Sequence, residues 1–207
     1  CNVGKAEFTL TFSKGHLVCK EATSISVADM DSVTPSREFS DRFSDDFRKV
    51  SEFANHKICT LAADIDFSLA VSGPCPYLKL IHSAQLAASG ADISFAAPVS
   101  DKGFVNAGEI TFSDLSRIYR FENTLYKIEL TGAQIKDYLE YSYDSWIQTP
   151  GDHILKIKEG RDRSGNSRWS FVGRSYNFDS AAGLCYTVDV TKPYGERVSI
   201  SGLADGS

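Results

Sequence analysis

An aromatic side chain and an amide side chain lie two positions apart in a turn near the middle of the sequence. The turn spans residues 119–124 and carries Phe121 and Asn123. An aromatic ring that faces solvent can stack on a flat heterocycle, and stacking on a base contributes about 1 to 3 kcal/mol. A neighbouring amide can form hydrogen bonds with the same ligand. We therefore predict that this turn is the binding site of the chain.

Both side chains also have a purely structural interpretation. Phe121 could fill the gap between its helix and the next strand. Asn123 could cap the turn through its own backbone, which is a common use of asparagine. The spacing of the residues leaves these alternatives open.

Hydrophobic spacing assigns the elements on either side of the turn. Residues 113–119 form a short helical run, and residues 125–130 alternate between apolar and charged side chains, as a half-buried strand does. Thr131 and Gln134 have the spacing of a capping box, which satisfies free backbone N–H groups at the start of a helix. The sequence therefore predicts helix, turn, strand and helix across residues 106–146.

The rest of the chain predicts further strands and helices. We expect a hairpin over residues 6–28, and an amphipathic helix over residues 36–56 whose phenylalanine stripe belongs to a core. Pro76 and Gly90 bound a helix over residues 77–89. Strands are expected over residues 58–63, 91–98, 184–190 and 197–201.

A polar stretch interrupts this pattern at residues 149–175. We expect a solvated surface excursion that Trp169 and Phe171 anchor. A mobile loop over a phosphate is the alternative.

Three motifs around the turn resemble the C-terminal domain of the 5'-nucleotidase and 2',3'-cyclic-nucleotide 2'-phosphodiesterase family. That family shares G-x-I-T-x-x-D-L, then an aromatic-x-N-T-L turn, then L-T-G-x-x-I-K-x-x-L-E. The matching stretches here are residues 108–115, 121–125 and 130–140. The resemblance implies a domain that holds a nucleoside or nucleotide, with Phe121 stacked on the base and Asn123 as a hydrogen-bonding neighbour.

A later segment is also similar to that family, in its N-F-D and G-x-x-Y-T-x-D-V motifs. It places Phe178 and Asp179 just before a strand. The two side chains could line the binding site, and packing at the strand edge is an equal alternative.

The resemblance implies an α/β fold, with mixed sheets and packed helices in layers, preceded by a hairpin and a linker helix. We expect residues 1–35 to be the tail of a metallophosphatase (calcineurin-like) domain and residues 36–56 to be a linker helix. Residues 57–207 would be the substrate-binding domain, truncated at its C-terminus. In the family a later loop supplies a second aromatic residue, so we expect half of the sandwich here.

One segment of the sequence indicates which branch of the family this chain resembles. The 5'-nucleotidase branch has N-S-G-G-I-R after the strand near residue 95, and its arginine contacts substrate. This chain instead has Phe95-Ala96-Ala97-Pro98-Val99, without an arginine. That form is more similar to the branch of 2',3'-cyclic phosphodiesterases and 3'-nucleotidases.

No complete catalytic constellation is visible in the sequence. The four histidines are far apart, no G-x-S-x-G motif occurs, and the Asp, His and Asn metal motifs of the resembling family are missing. We therefore expect no metal and no cofactor in this chain, and two divalent metals in a metallophosphatase domain of the same polypeptide. The chain alone should not hydrolyse nucleotides.

Composition excludes some classes of partner. The net charge is −5 and basic residues are scattered, which disfavours a nucleic-acid polymer. No run approaches the roughly 20 apolar residues of a membrane helix. Five separated cysteines without a C-x-x-C pair predict neither a zinc site nor a disulfide framework, and we expect most to be buried. One long-range disulfide is the alternative if the protein is exported.

Two hypotheses follow for function. The first is the substrate-recognition domain of a bacterial nucleotide hydrolase that is periplasmic, secreted or on the cell surface. The second is a non-catalytic surface binding module that retains the fold. A coding sequence that continues upstream into the metal motifs would favour the first.

Overall fold

The computed structural model describes residues 2–100, 102–148, 154–162 and 164–206. The chain divides into two compact units, residues 1–53 and residues 54–207. Residues 149–153 and 163, which belong to the predicted polar excursion, lie outside the described part.

The first unit contains the predicted hairpin. Strands β1 (Asn2–Ser13) and β2 (His16–Asp29) pair in antiparallel fashion. The turn is tight because Lys14 and Gly15 both have positive φ, 50° and 81°. Two successive positive φ values are typical of the hairpin turns that match strand twist.

Helix α1 (Arg37–Ala54) follows the hairpin, as the spacing predicts. Our assignment of its phenylalanine stripe to a core was wrong. Phe47 and Phe53 are 63% and 60% exposed, and no residue of α1 is buried. A stripe at helical spacing indicates which side chains share a face, but it does not indicate what covers that face.

Short antiparallel strand pairs make up the sheets of the second unit. The pairs are β3 (Lys57–Leu61) with β7 (Gly108–Thr111), β4 (Ile65–Asp66) with β6 (Phe104–Val105), β5 (Ser94–Ala96) with β10 (Ser180–Ala182), β8 (Ile157–Arg161) with β9 (Ser167–Phe171), and β11 (Leu184–Val188) with β12 (Val198–Leu203).

Three α-helices in this unit have well-formed ends. They are α2 (Pro76–Ser89), α3 (Phe112–Ile118) and α4 (Gly132–Trp146). Gly90 ends α2 in the left-handed conformation, and Thr131 with Gln134 forms the predicted capping box of α4. Strands and helices packed together confirm the predicted α/β class.

Two hydrophobic clusters form the core of this unit. In the first, the Phe67 ring stacks on Tyr77 with centroids 4.1 Å apart, among apolar residues of α2, β4 and β7. The second joins Trp146 and Ile147 at the end of α4 to Phe178. A buried carboxylate also ties α4 to the start of β12, because Glu140 accepts from the N–H groups of Gly195 and Val198 at 2.9 and 2.6 Å.

Some expected elements differ in the structure. Residues 125–130 form no strand, and Tyr126 and Ile128 are 80% and 68% exposed, so the prediction of a half-buried strand was wrong. In the polar stretch, β8 and β9 form a hairpin. Phe171 packs on the second cluster, whereas Trp169 is 55% exposed.

The described cysteines are all free. Cys75 is buried, but Cys19, Cys59 and Cys185 are exposed, which contradicts our expectation that most would be buried. No helix of the described residues is long and apolar enough to cross a bilayer.

Candidate functional site

A cavity of about 480 Å³ opens in the second unit. Its walls come from one turn of α2, from β5 and the loop after it, from the segment after α3, and from the residues before β10. The first two stretches contribute Gln85, Phe95, Ala96, Ala97 and Val99, and the last two contribute Tyr119, Phe121, Asn123, Tyr176 and Asp179. This volume lies within the usual range of small-molecule sites.

Phe121 lies on the wall of this cavity and is 45% exposed. Helix α3 ends at Ile118, and the chain then continues through Phe121 without regular structure. A ring on a cavity wall that is 45% exposed can contact a ligand, so the placement is compatible with the predicted role. Contact with a ligand remains a prediction.

Asn123 also lines the cavity. Its side-chain NH₂ group donates to the Tyr119 hydroxyl at 2.9 Å, so it binds a neighbouring side chain and not the turn backbone. Its carbonyl oxygen makes no hydrogen bond to the described residues and can accept from a ligand. Tyr119, which lines the same wall, was not assigned a role from sequence.

Asp179 is held in place by α4. Its Oδ2 accepts from the Tyr138 hydroxyl at 2.7 Å, and its backbone carbonyl accepts from the Ser142 hydroxyl at 2.7 Å. Tyr138 and Ser142 are one helical turn apart, so both reach the same residue. Burial raises the pKa of the Asp179 carboxyl, and the bond from Tyr138 offsets part of that rise.

The strand pairing explains why Asp179 reaches the cavity. Ser180 of β10 pairs with Ala96 of β5, which brings the residue before β10 beside the loop that follows β5. Gly183 ends this short strand with φ 82°, where an added Cβ would overlap the Asp92 carbonyl. Only glycine allows this close approach.

Phe178 does not line the cavity. It is fully buried, and its ring packs on Trp146 and Phe171 with centroids 5.0 and 5.6 Å apart. The sequence left two interpretations of Phe178, and the structure shows a side chain that packs in the core. The expectation that Phe178 lines the binding site was therefore wrong. Asp179, the next residue, does line the cavity.

A buried polar network lies behind Gln85. The Ser94 hydroxyl donates to Gln85 Oε1 at 2.6 Å and also lies 2.9 Å from His82 Nδ1, while His82 Nε2 lies 3.2 Å from the Ser180 hydroxyl. The NH₂ group of Gln85 makes no hydrogen bond to the described residues. The sequence analysis placed residue 85 in the predicted helix over residues 77–89 and gave Gln85 no role at the site.

The described residues contain no group of three His, Cys, Asp or Glu side chains that could hold a metal ion. His153 lies outside them. The cavity offers an aromatic face, amides, phenols and one carboxylate, which are groups that bind a ligand and do not by themselves make a hydrolytic centre.

A second, larger cavity of about 1820 Å³ is mostly apolar and lies between α2, α4 and β11. The buried Trp146 Nε1 on its wall has no hydrogen-bond partner among the described residues. Residues 149–153 adjoin this wall in sequence and are not described.

A model of the family described as "5'-nucleotidase, C-terminal domain" matches residues 55–206. The chain belongs to this family. The matched region coincides closely with the second structural unit, residues 54–207, which contains the cavity.

Relatives of this 5'-nucleotidase C-terminal domain are nucleotide phosphoesterases. It is 27% identical over 169 residues to the 2',3'-cyclic-nucleotide 2'-phosphodiesterase/3'-nucleotidase of Yersinia enterocolitica, covering 72% of this chain and 25% of that protein. It is 36% identical over 89 residues to the trifunctional nucleotide phosphoesterase protein YfkN of Bacillus subtilis, covering 43% of this chain and 6% of that protein. The chain thus spans a quarter or less of these relatives.

Solved structures support the same fold. A Staphylococcus aureus protein assigned as a 5'-nucleotidase superposes with a TM-score of 0.63 at 21% identity, covering 98% of this chain and 38% of that one. A 5'-nucleotidase precursor from Thermus thermophilus gives a TM-score of 0.54 at 18% identity, covering 94% of this chain and 36% of that one. At these identities the likeness establishes the fold.

Proposed function

We propose that this domain recognises the nucleoside part of a nucleotide, with the base stacked on Phe121, for a metal-dependent nucleotide hydrolase. The observation that carries the proposal is the half-exposed Phe121 ring on the wall of the 480 Å³ cavity, beside Asn123 and Asp179. An aromatic face with nearby amide and carboxylate groups suits a flat, polar heterocycle.

Membership of the family supports this assignment, and so does the nature of the relatives. Several are named as 2',3'-cyclic phosphodiesterases and 3'-nucleotidases, which agrees with the Phe95–Val99 segment that lacks an arginine. We therefore propose that the substrates are those of that branch, in nucleotide catabolism.

Hydrolysis itself would belong to another part of the same polypeptide. We propose that residues 1–35 end a metallophosphatase domain that binds two divalent metals, and that residues 36–56 link it to the nucleoside-binding domain. Two metals can activate water and stabilise both oxygens of the displacement at phosphorus. One structural relative is named as a precursor, which supports our placing the protein in the periplasm, outside the cell or at its surface.

The proposal predicts that Phe121→Ala weakens nucleoside binding. Loss of the stacking face should raise the dissociation constant of adenosine about tenfold or more, since stacking contributes about 1 to 3 kcal/mol per base. Titration by NMR suits this test because it measures weak binding.

Phe104→Ala provides a matched control. Phe104 is 42% exposed in the same unit and lies outside the cavity, so its removal should leave adenosine binding unchanged. Equal affinities of the wild type and Phe121→Ala, or equal losses in the two variants, would contradict the stacking role.

A further inference from the structure

Asp179 is the carboxylate on the cavity wall, and its position is fixed. The Tyr138 hydroxyl holds Oδ2 at 2.7 Å, and the Ser142 hydroxyl holds the Asp179 carbonyl at the same distance. The Phe95 ring packs against Tyr138 with centroids 4.9 Å apart, which fixes the phenol in turn. A side chain held in this way can select the geometry of a ligand.

The second oxygen of this carboxylate is open. Oδ1 makes no hydrogen bond to the described residues, and it is not among the buried unpartnered atoms, so it can be reached from the cavity. An ionised carboxylate only accepts hydrogen bonds, and a partly buried one is costly unless donors reach it. We therefore expect a bound ligand to place a hydrogen-bond donor at Oδ1.

The charge of the wall also restricts what can bind there. No lysine or arginine is among the described residues that line the cavity. A phosphate group would be repelled by Asp179 with no cation to compensate it. An uncharged part of the ligand that carries N–H or O–H groups fits instead.

We propose that Oδ1 of Asp179 accepts a hydrogen bond from the nucleoside bound beside Phe121, so that Asp179 selects ligands with a donor on that edge. This inference rests on the proposed function. The donor is either an N–H of the base or a hydroxyl of the ribose, and the two sources are distinguished by the choice of ligand.

The test is a titration of the chain with four nucleosides. They are adenosine, purine riboside (which lacks the 6-amino group), 2'-deoxyadenosine and 3'-deoxyadenosine. Each is titrated into the wild type, into Asp179→Asn, and into Glu196→Gln, which removes the same charge from an exposed residue that does not line the cavity.

Asp179→Asn should raise the dissociation constant of adenosine about tenfold, as expected for loss of a hydrogen bond to a charged group, and Glu196→Gln should leave it unchanged. The nucleoside that lacks the relevant donor should bind the wild type about tenfold more weakly than adenosine, and Asp179→Asn should weaken it no further. Weaker binding of purine riboside identifies the base as the source of the donor. Weaker binding of a deoxynucleoside identifies the ribose.

A second measurement needs no variant. The ¹³C chemical shift of the Asp179 carboxyl follows its pKa in the wild type. A donor from the ligand favours the charged form, so saturating adenosine should lower this pKa, whereas mere exclusion of water would raise it.

Several results would overturn the inference. They are equal adenosine binding by the wild type and Asp179→Asn, an equal loss for all four ligands, or a pKa that rises on binding. If no nucleoside binds the wild type at all, the proposed function itself fails, and that result is distinct from these.

Discussion

His82 is a neutral imidazole buried behind the cavity wall. It is 5% exposed and lies between the hydroxyls of Ser94 and Ser180. Burial lowers its pKa from 6.5 to about 4, because the charged form loses hydration that two serines do not replace. Through Ser94, this residue also fixes the orientation of the Gln85 amide at the cavity.

The depressed pKa of His82 predicts a pH dependence of stability. Between pH 6.5 and 4 the unfolded chain binds a proton at His82 and the folded chain does not, so the folded state loses stability as the pH falls through this window. The loss is at most about 3 kcal/mol.

Urea unfolding at several pH values checks this expectation. In His82→Gln the free energy of unfolding should fall less steeply between pH 6.5 and 4 than in the wild type. Parallel curves for wild type and His82→Gln would show that His82 charges freely in the folded state.

The two neighbours Phe178 and Asp179 show how far residue-level reasoning reaches. The N-F-D motif singled out both residues as candidates, but Phe178 is buried in the second hydrophobic cluster, and only Asp179 lines the cavity. Which one faces it depends on the register of β10 with β5, Ser180 opposite Ala96, and that pairing joins segments far apart in sequence. No local pattern contains this information.

At the scale of elements, a hydrogen bond joins α2 to the end of α3. The buried Tyr77 hydroxyl on α2 donates to the carbonyl of Ile118, the last residue of α3, at 2.9 Å. The carbonyl groups at the end of a helix have no partner within it, so this bond satisfies one of them. Because Phe121 follows three residues later, the contact also fixes the start of the candidate binding turn.

Tyr77→Phe should therefore destabilise the domain. The substitution leaves the Ile118 carbonyl buried without its donor, and we expect a loss of about 1 to 2 kcal/mol in the free energy of unfolding. Urea unfolding measures this loss, with Tyr126→Phe as the control variant. Tyr126 is 80% exposed, and its hydroxyl is free to bind water. Equal stability of the two variants would mean that another group replaces the Tyr77 hydroxyl.

Element boundaries were predictable where a local interaction sets them. Pro76, Gly90 and the Thr131–Gln134 capping box all act within one helical turn, and each ends or begins a helix at the expected place. The alternating residues 125–130 have the pattern of a strand, but a strand also needs a partner for its backbone groups. Periodicity specifies the faces of a segment and not its partner.

At the scale of the whole molecule, the family match and the cavity lie in the same unit. The matched region, residues 55–206, contains all four stretches that form the cavity wall. The cavity itself could not be derived from sequence, because residues 85, 95, 121 and 179 meet only through tertiary packing. The second, apolar cavity had no sequence signal at all.

Because the same unit contains a second cavity, the most direct test of the proposed function is to locate the bound nucleoside. The measurement is intermolecular nuclear Overhauser effects between adenosine and the wild-type chain. We expect contacts from the base protons to the Phe121 ring and to the methyl groups of Ala97 and Val99, which line the same cavity. Contacts to Trp146 and the apolar cavity instead, or no contacts at saturating adenosine, would contradict the claim that the nucleoside binds beside Phe121.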